Sequence, residues 1–515
     1  MATIAPRPVS ALRARAPSRA WLATGAGLAA LVLLSLILRT RELGVGFWID
    51  EGLSVGISDR PLLDIPDALR LDGSPPLYYM LLHVWMKVAG TSEEAVRTLS
   101  VACALLMVPI AWWAARGLWG TRAGWMGAVL VATNPFLTQY AQEGRMYSLV
   151  ALLALVASAA FARAFVRGSR DWAIAYAVVL AAMLYTHNWA LFFGAACGLV
   201  WLYLVWRSDE RRETLILGAI AFGCGLALYL PWVPTTLYQV AHTGAPWSEP
   251  PTVVALLGTP GTMLGQFAQV ALLLAAGAGL AVLLRQPQRS PAAWLLAITV
   301  LTIALAWTSS QLSPAWANRY LAVAAAPLLL AVAAGLAHAG RLGIAGLLVA
   351  AALGAGDTAP DEKSNVRDVA QTIAPSLRAG DLVVATQPEQ VPVLAYYLPD
   401  GVRFATLTGA VEDTGVTDWR DGTERLGASS PERDLAPLLD ELEPGRRVAL
   451  VTPIFFDIRR WQAPWTELVR LRSGEWRQHI SNDSRFAISA TEPALPLEER
   501  VPSALQATVL VKTAD

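Results

Sequence analysis

The stretch RPVSALRARAPSRAWLATGAGLAALVLLSLILR, residues 7–39, decides how the rest of the chain is threaded. Arg7, Arg13, Arg15 and Arg19 precede an apolar run over 21–38. About 20 apolar residues suffice to cross the hydrocarbon of a bilayer as a helix, and flanking Lys and Arg mark the cytoplasmic side. The first span therefore runs outward, residues 1–20 form a cytoplasmic tail, and the next segment, GVGFWIDEGLSVG (44–56), is delivered to the outer face. The basic start is similar to a signal peptide, but no small-residue cleavage site comes before RTRELG, so the run reads as a retained anchor.

Composition agrees with a polytopic membrane protein. Of 515 residues, 55% are hydrophobic and 16% charged, against roughly 25% charged in soluble domains. Net charge is zero, so the chain offers no basic footprint for nucleic acid. Cys103, Cys197 and Cys224 fall in apolar runs without paired or metal-type spacing, which supports neither a disulfide framework nor a zinc site.

Applying the length and charge rules together predicts an all-α membrane domain over 21–356 with about 11 transmembrane helices. The spans are 21–38, 95–115, 123–138, 145–165, 172–186, 189–206, 214–231, 265–284, 292–308, 321–337 and 342–356. The first outer loop, 39–94, contains PPLYYMLLHVWMKVAG (75–90), which starts with two prolines and carries His83 and Lys87. It reads as an interfacial helix that does not cross, with Tyr78 and Tyr79 in an aromatic belt. Arg116, Arg122, Arg163, Arg167, Arg170, the RSDERRE cluster (207–213), Arg285 and Arg289 then all face the cytoplasm.

After residue 357 charges and turn residues return. DLVVAT (381–386) and RRVALVTPIFF (446–456) read as buried strands. SNVRDVAQTIAPSL (364–377) and SPERDLAPLLDELEPG (430–445) read as helices, the second opened by Ser430 and closed by Gly445. Residues 357–515 are therefore expected to form an extracytoplasmic α/β domain. It shows no phosphate loop, metal cluster or nucleophile elbow, and reads as a docking or acceptor-shaping domain.

The threading collects unusual polar residues on the outer face: Asp50 and Glu51, Asp72, Glu143 with Arg145 and Tyr147, Tyr185 with His187, and Arg319 with Tyr320. Ionisable groups near a membrane are expensive and usually line a cavity or a path. Adjacent Asp50 and Glu51 would suit a general base, a metal site, or a structural ion pair with Arg145 or Arg319. Asp50, Glu51 and Glu143 are oxygen ligands of the type taken by Mg²⁺, Mn²⁺ or Ca²⁺, although such ligands alone specify no metal.

With these residues in place, the segments FWIDEGLS, DGSPPLYYMLLHVW, SEEAVRTLSVACALL, NPFLTQYAQEGRMYSL, YTHNWALFF and ANRYLAVAAAPLLL resemble, in order over residues 30–335, the C-type polytopic membrane glycosyltransferases. The resemblance is to the protein O-mannosyltransferase and lipid A aminoarabinose transferase kind, glycosyltransferase family 39-like. It implies the C-type fold and an inverting transfer of a hexosyl or pentosyl group. The donor would be a polyprenyl-phosphate-linked sugar, the acceptor a hydroxyl on a glycan, lipid or protein, and the place the outer face of the cell membrane. It matches Asp50 to the first-loop catalytic aspartate, Glu51 to its acidic neighbour and Glu143 to the second-loop acid. It makes Arg145 and Arg319, with Tyr147 and Tyr320, candidates for the lipid phosphate, and leaves Asp72, Glu143, Tyr185 and His187 to the substrate cavity. Many relatives carry a histidine before the Pro-Pro pair, where this chain has Ser74. A transporter or flippase for a lipid-linked or anionic solute is the competing class, but it calls for polar groups near span midpoints and internal repeats, which this sequence lacks.

Overall fold

The structure, a computed structural model, is described for residues 19–285, 290–356, 363–491 and 501–513. Nearly all of the expected cytoplasmic tail, and Arg289 of the expected inner cluster, lie outside these residues. Helices occupy every segment read as a span. Seven are long and apolar enough to cross a membrane: Arg19–Arg39, Glu93–Trp119, Tyr147–Val166, Ala190–Arg207, Arg211–His242, Pro291–Leu312 and Asn318–His338. Val253–Leu264 and Ala268–Leu283 make an eighth if a pair bent by 85° is one span. Thr121–Thr133, Asp171–Leu184 and Gly340–Gly356 are shorter.

The span expected over 123–138 breaks at Asn134 because the sequence caps a new helix there. The Asn134 side chain accepts the Leu137 N–H, and Pro135 opens the helix Pro135–Ala141, where its missing N–H costs nothing. Asn318–His338 is the centre of the bundle, with 89% of its apolar window buried, against 11% for Arg19–Arg39 at the periphery. Leu77–Ala89 is a separate helix in the segment between Arg19–Arg39 and Glu93–Trp119. Its Tyr78 and Tyr79 are fully buried in the core, which corrects their placement in an aromatic belt.

The C-terminal residues form a six-stranded mixed sheet, β1 (Leu382–Ala385), β2 (Arg403–Thr406), β3 (Gly409–Val411), β4 (Arg447–Pro453), β5 (Phe486–Thr491) and β6 (Leu505–Lys512), in the order β3-β2-β1-β4-β6-β5. β1 runs parallel to β2 and β4, and the remaining pairs are antiparallel. The expected second helix is two short ones, Pro431–Asp434 and Ala436–Asp440, opened by a Ser430 cap on the Arg433 N–H.

This domain is clamped onto the segment between Arg19–Arg39 and Glu93–Trp119. Helix Ile49–Ser58 lies against helix Val391–Tyr397 so closely that a Cβ on Gly52 would sit 2.6 Å from the Val393 Cα. A Cβ on Gly56 would meet the Gly415 carbonyl oxygen at 2.6 Å. The two glycines, one helical turn apart, let backbone approach backbone. Around them Arg60 pairs with both oxygens of Asp413 at 2.6 Å, and the Tyr397 hydroxyl accepts the Phe47 N–H at 2.8 Å and donates to Glu93 at 2.9 Å.

Candidate active site

Asp50 and Glu51 occupy the first turn of helix Ile49–Ser58, where negative charge is favoured by the positive end of the helix dipole. Neighbours on a helix point roughly 100° apart and do not face each other. The two acids accordingly have different partners. Glu51, 1% exposed, accepts two bonds from Arg97, Nε at 2.8 Å and Nη2 at 2.6 Å, and a third from the Gly144 N–H at 2.7 Å. Arg97 also donates to the carbonyls of Leu43, Val45 and Gly46. Glu51 thus ties the start of the helix to Arg97 and Gly144 and does not line the cavity that Asp50 faces.

Asp50 turns into a cavity of about 170 Å³ between loops at one end of the bundle and the C-terminal domain. Its Oδ2 lies 3.5 Å from Arg319 Nη2 and 3.9 Å from Arg145 Nε and has no hydrogen-bond partner. Arg145 is held from behind: its Nη1 donates to the Asp50 carbonyl and Ser54 Oγ at 3.1 Å and to Tyr79 Oη at 3.2 Å. Arg319 enters on the short turn Asn318–Leu321, with its guanidinium 5.5 Å from the Trp48 ring and 5.3 Å from the Trp247 ring. Neither Nε makes a hydrogen bond, so both cations keep donor capacity beside the carboxylate.

Asp72, Tyr147, His187 and Tyr320 line the same cavity, as expected. Gly73, at φ 97°, ends the helix Ile65–Asp72 and turns the chain there, a conformation that favours glycine. Burial pushes the Asp72 carboxyl up, with Ser74 and Arg145 pulling it back in part. Burial, with Arg145 and Arg319 adding to it, pushes His187 down to about 3. The ring is therefore neutral, and because Nδ1 accepts the Trp189 N–H at 3.0 Å, its proton sits on Nε2. His187 packs edge-on against Tyr320 at 4.8 Å.

Glu143 and Tyr185 do not join them. Glu143 is paired with Lys363 of the segment that leads into the C-terminal domain, and Lys363 also lies 4.5 Å over the Trp48 ring. Burial raises the Glu143 carboxyl, and Lys363 opposes the shift. Tyr185 donates to the Leu228 carbonyl at 3.1 Å, while its own carbonyl accepts the Leu77 N–H at 2.8 Å. It orients the Pro-Pro segment from outside the cavity. The cation site considered from Asp50, Glu51 and Glu143 does not assemble, because each carboxylate faces its own arginine or lysine. Among the described residues no group of three His, Cys, Asp or Glu could hold a metal.

Sequence reading missed three contributors to the cavity wall: Trp247 from the loop after Val233–His242, and Glu389 and Trp419 from the C-terminal domain. Glu389 had a usable signal. It follows β1 directly, at the carboxyl end of a parallel strand, where α/β sheets place ligand groups. Next to the cavity, sharing Gly244 and Ala245 with it, a groove of about 940 Å³ runs between residues 240–250 and the C-terminal domain. Among the described residues its ionisable lining is Glu249, Asp421, Glu424 and His242, which pairs with Asp421, with no Lys or Arg.

An all-α membrane bundle with a polar cavity under a small α/β cap is the fold of the C-type polytopic membrane glycosyltransferases. The chain superposes on ArnT from Cupriavidus metallidurans in the apo state with a TM-score of 0.64 at 13% identity, covering 96% of this chain and 98% of that one. The same protein bound to undecaprenyl phosphate gives a TM-score of 0.56 at 12% identity over 97% and 99%. The archaeal oligosaccharyltransferase AglB from Archaeoglobus fulgidus, in complex with an inhibitory peptide and a dolichol-phosphate, gives 0.55 at 12% over 87% and 71%. A family model described as dolichyl-phosphate-mannose-protein mannosyltransferase matches residues 73–238, about a third of the chain. No curated protein sequence matches. The resemblance read from the sequence is borne out by the fold and by this match.

Proposed function

We propose that this protein transfers a sugar from a polyprenyl-phosphate donor to an acceptor hydroxyl at the outer face of the membrane, with inversion. The observation that carries the reading is the Asp50 carboxylate, bare at Oδ2, with Arg319 and Arg145 at 3.5 and 3.9 Å in one cavity. Two structures that share the fold hold a long-chain lipid phosphate. In this reading the first span runs outward, the N-terminus stays in the cytoplasm, and residues 357–515 form an extracytoplasmic domain that roofs the cavity.

The chemistry follows from the groups present. The acceptor oxygen attacks the anomeric carbon as its proton passes to Asp50, which as a placed base contributes roughly 10²–10⁴ in rate. The bond from the anomeric carbon to the phosphate oxygen breaks, and the departing lipid phosphate takes the electron pair. Arg145 and Arg319, fixed in position before the charge develops, stabilise it where it appears, and their planar forks match phosphate oxygens. The Nε2–H of neutral His187 and the Tyr320 hydroxyl add donors on the same side. The 940 Å³ groove is the acceptor's approach, and its carboxylates favour a hydroxyl-bearing acceptor without strong negative charge.

Incubating the purified protein with radiolabelled undecaprenyl-phosphate sugars and envelope extracts tests this. Wild type transfers label, and Asp50→Asn does not while remaining folded. Transfer retained by Asp50→Asn removes Asp50 as the base.

A further inference from the structure

The cavity wall carries Asp72, Glu389, Trp247 and Trp419 as well as Arg145 and Arg319. The proposed reaction uses the two arginines and Asp50, and leaves Asp72, Glu389 and the two indoles without a task. Glu389 is a demanding group to keep there. It is 7% exposed, its charge is disfavoured by burial, and its surroundings are built to hold it: Trp465 Nε1 donates to both oxygens at 3.2 and 3.3 Å, and Gln387 Nε2 donates to Oε1 at 3.0 Å.

An ionised carboxylate has about four acceptor positions. Oε2 of Glu389 receives the indole N–H it shares with Oε1, and Asp72 Oδ2 is buried without a hydrogen bond. Both keep acceptor capacity for a ligand that enters the cavity. The sheet accounts for where Glu389 stands. The chain leaves β1 toward β2 on one side and returns on the other side as β4, and the turn Pro388–Gln390 sits at that switch, the usual ligand position of such sheets. Trp419 is brought in separately, its N–H bonded to the Leu71 carbonyl at 3.0 Å and its ring 4.9 Å from Trp465.

We propose that the C-terminal domain completes the sugar subsite: Glu389, with Asp72, accepts hydrogen bonds from hydroxyls of the donor's sugar, while Trp419 and Trp247 pack against the ring. The volume fits one small group. About 170 Å³ is below the roughly 300–1,000 Å³ of sites that take drug-sized ligands. Arginines together with carboxylates and indoles in one cavity match the chemistry of a sugar phosphate. The inference rests on the reading of the cavity as a lipid-phosphate sugar site, and adds that sugar recognition belongs partly to the soluble domain.

The test uses full-length protein in nanodiscs and measures binding of undecaprenyl phosphate and of its mannosyl, glucosyl and arabinosyl esters. Wild type is expected to bind at least one ester more tightly than the bare lipid. Glu389→Gln, which keeps the shape and one acceptor, is expected to bind bare undecaprenyl phosphate as wild type does. It should lose about tenfold or more on the preferred ester, the scale of a lost hydrogen bond to a charged group. Normal binding of the bare lipid shows that the variant is folded. A wild-type discrimination that survives both Glu389→Gln and Glu389→Ala overturns the proposal alone. A wild type that binds bare undecaprenyl phosphate but does not prefer any ester also overturns it. Failure of wild type to bind undecaprenyl phosphate at all overturns the underlying reading as well.

Discussion

Replacing Glu51 tests the division of labour between the two adjacent acids. Glu51→Ala leaves Arg97, 4% exposed in its side chain, bonded to three carbonyls but without a counter-charge, and removes the acceptor of the Gly144 N–H. Breaking a buried ion pair from one side costs about 3–5 kcal/mol. The unpaired N–H contributes about 1–3 kcal/mol, not simply additive with the first. Against a total stability of about 5–15 kcal/mol, the variant should melt several degrees lower by differential scanning fluorimetry. Its activity should fall with its folded fraction, because the helix start that carries Asp50 loses its anchor. Removing both charges while keeping the volume, as in Glu51→Leu with Arg97→Met, should recover most of the stability, since a packed apolar pair is often no worse than a buried ion pair. The reasoning is refuted if Glu51→Gln melts like wild type yet loses kcat as completely as Asp50→Asn. Glu51 would then touch the reacting atoms.

Three further outcomes follow from the same geometry. Arg145→Lys and Arg319→Lys keep the charge but lose the planar fork; each should weaken undecaprenyl phosphate binding by about tenfold, on the scale of one charge-assisted bond, and unchanged affinity in both would exclude them as phosphate ligands. Gly52→Val puts a side chain into the Val393 backbone, so the helix and the C-terminal domain must part; limited proteolysis should release that domain faster than in wild type, and an unaltered cleavage pattern would contradict the close packing. His187, pushed down to about 3 from 6.5, leaves the unfolded chain binding more protons between those values, so stability should rise with pH from about 3 to 6.5; His187→Asn should flatten that rise in melting temperature, and an identical slope would show that the ring is not buried neutral.

The sequence by itself determined the membrane bundle and the clustering of polar residues at one end of it. Apolar runs of spanning length and the arginines between them follow from the bilayer's thickness and charge asymmetry, which act on each segment alone. Local capping chemistry likewise fixed Ser430 at the start of its helical stretch, whereas the helix ends at Asp440 and Gly445 lies in the turn before β4. Asp50, Asp72, Arg145, Tyr147, His187, Arg319 and Tyr320 were legible as one site because their segments emerge on a common face. What only the tertiary structure decided is which polar groups meet. Glu51 could not be separated from Asp50 until the helix sent it toward Arg97, a residue that looked like part of a span. Glu143 and Lys363 are 220 positions apart, and Glu389 reaches the cavity only because two glycines let the C-terminal domain sit backbone to backbone on helix Ile49–Ser58. Hydrophobic thickness and capping are local constraints, written in consecutive residues. The pairing of buried charges depends on which distant surfaces touch, and the fold sets that.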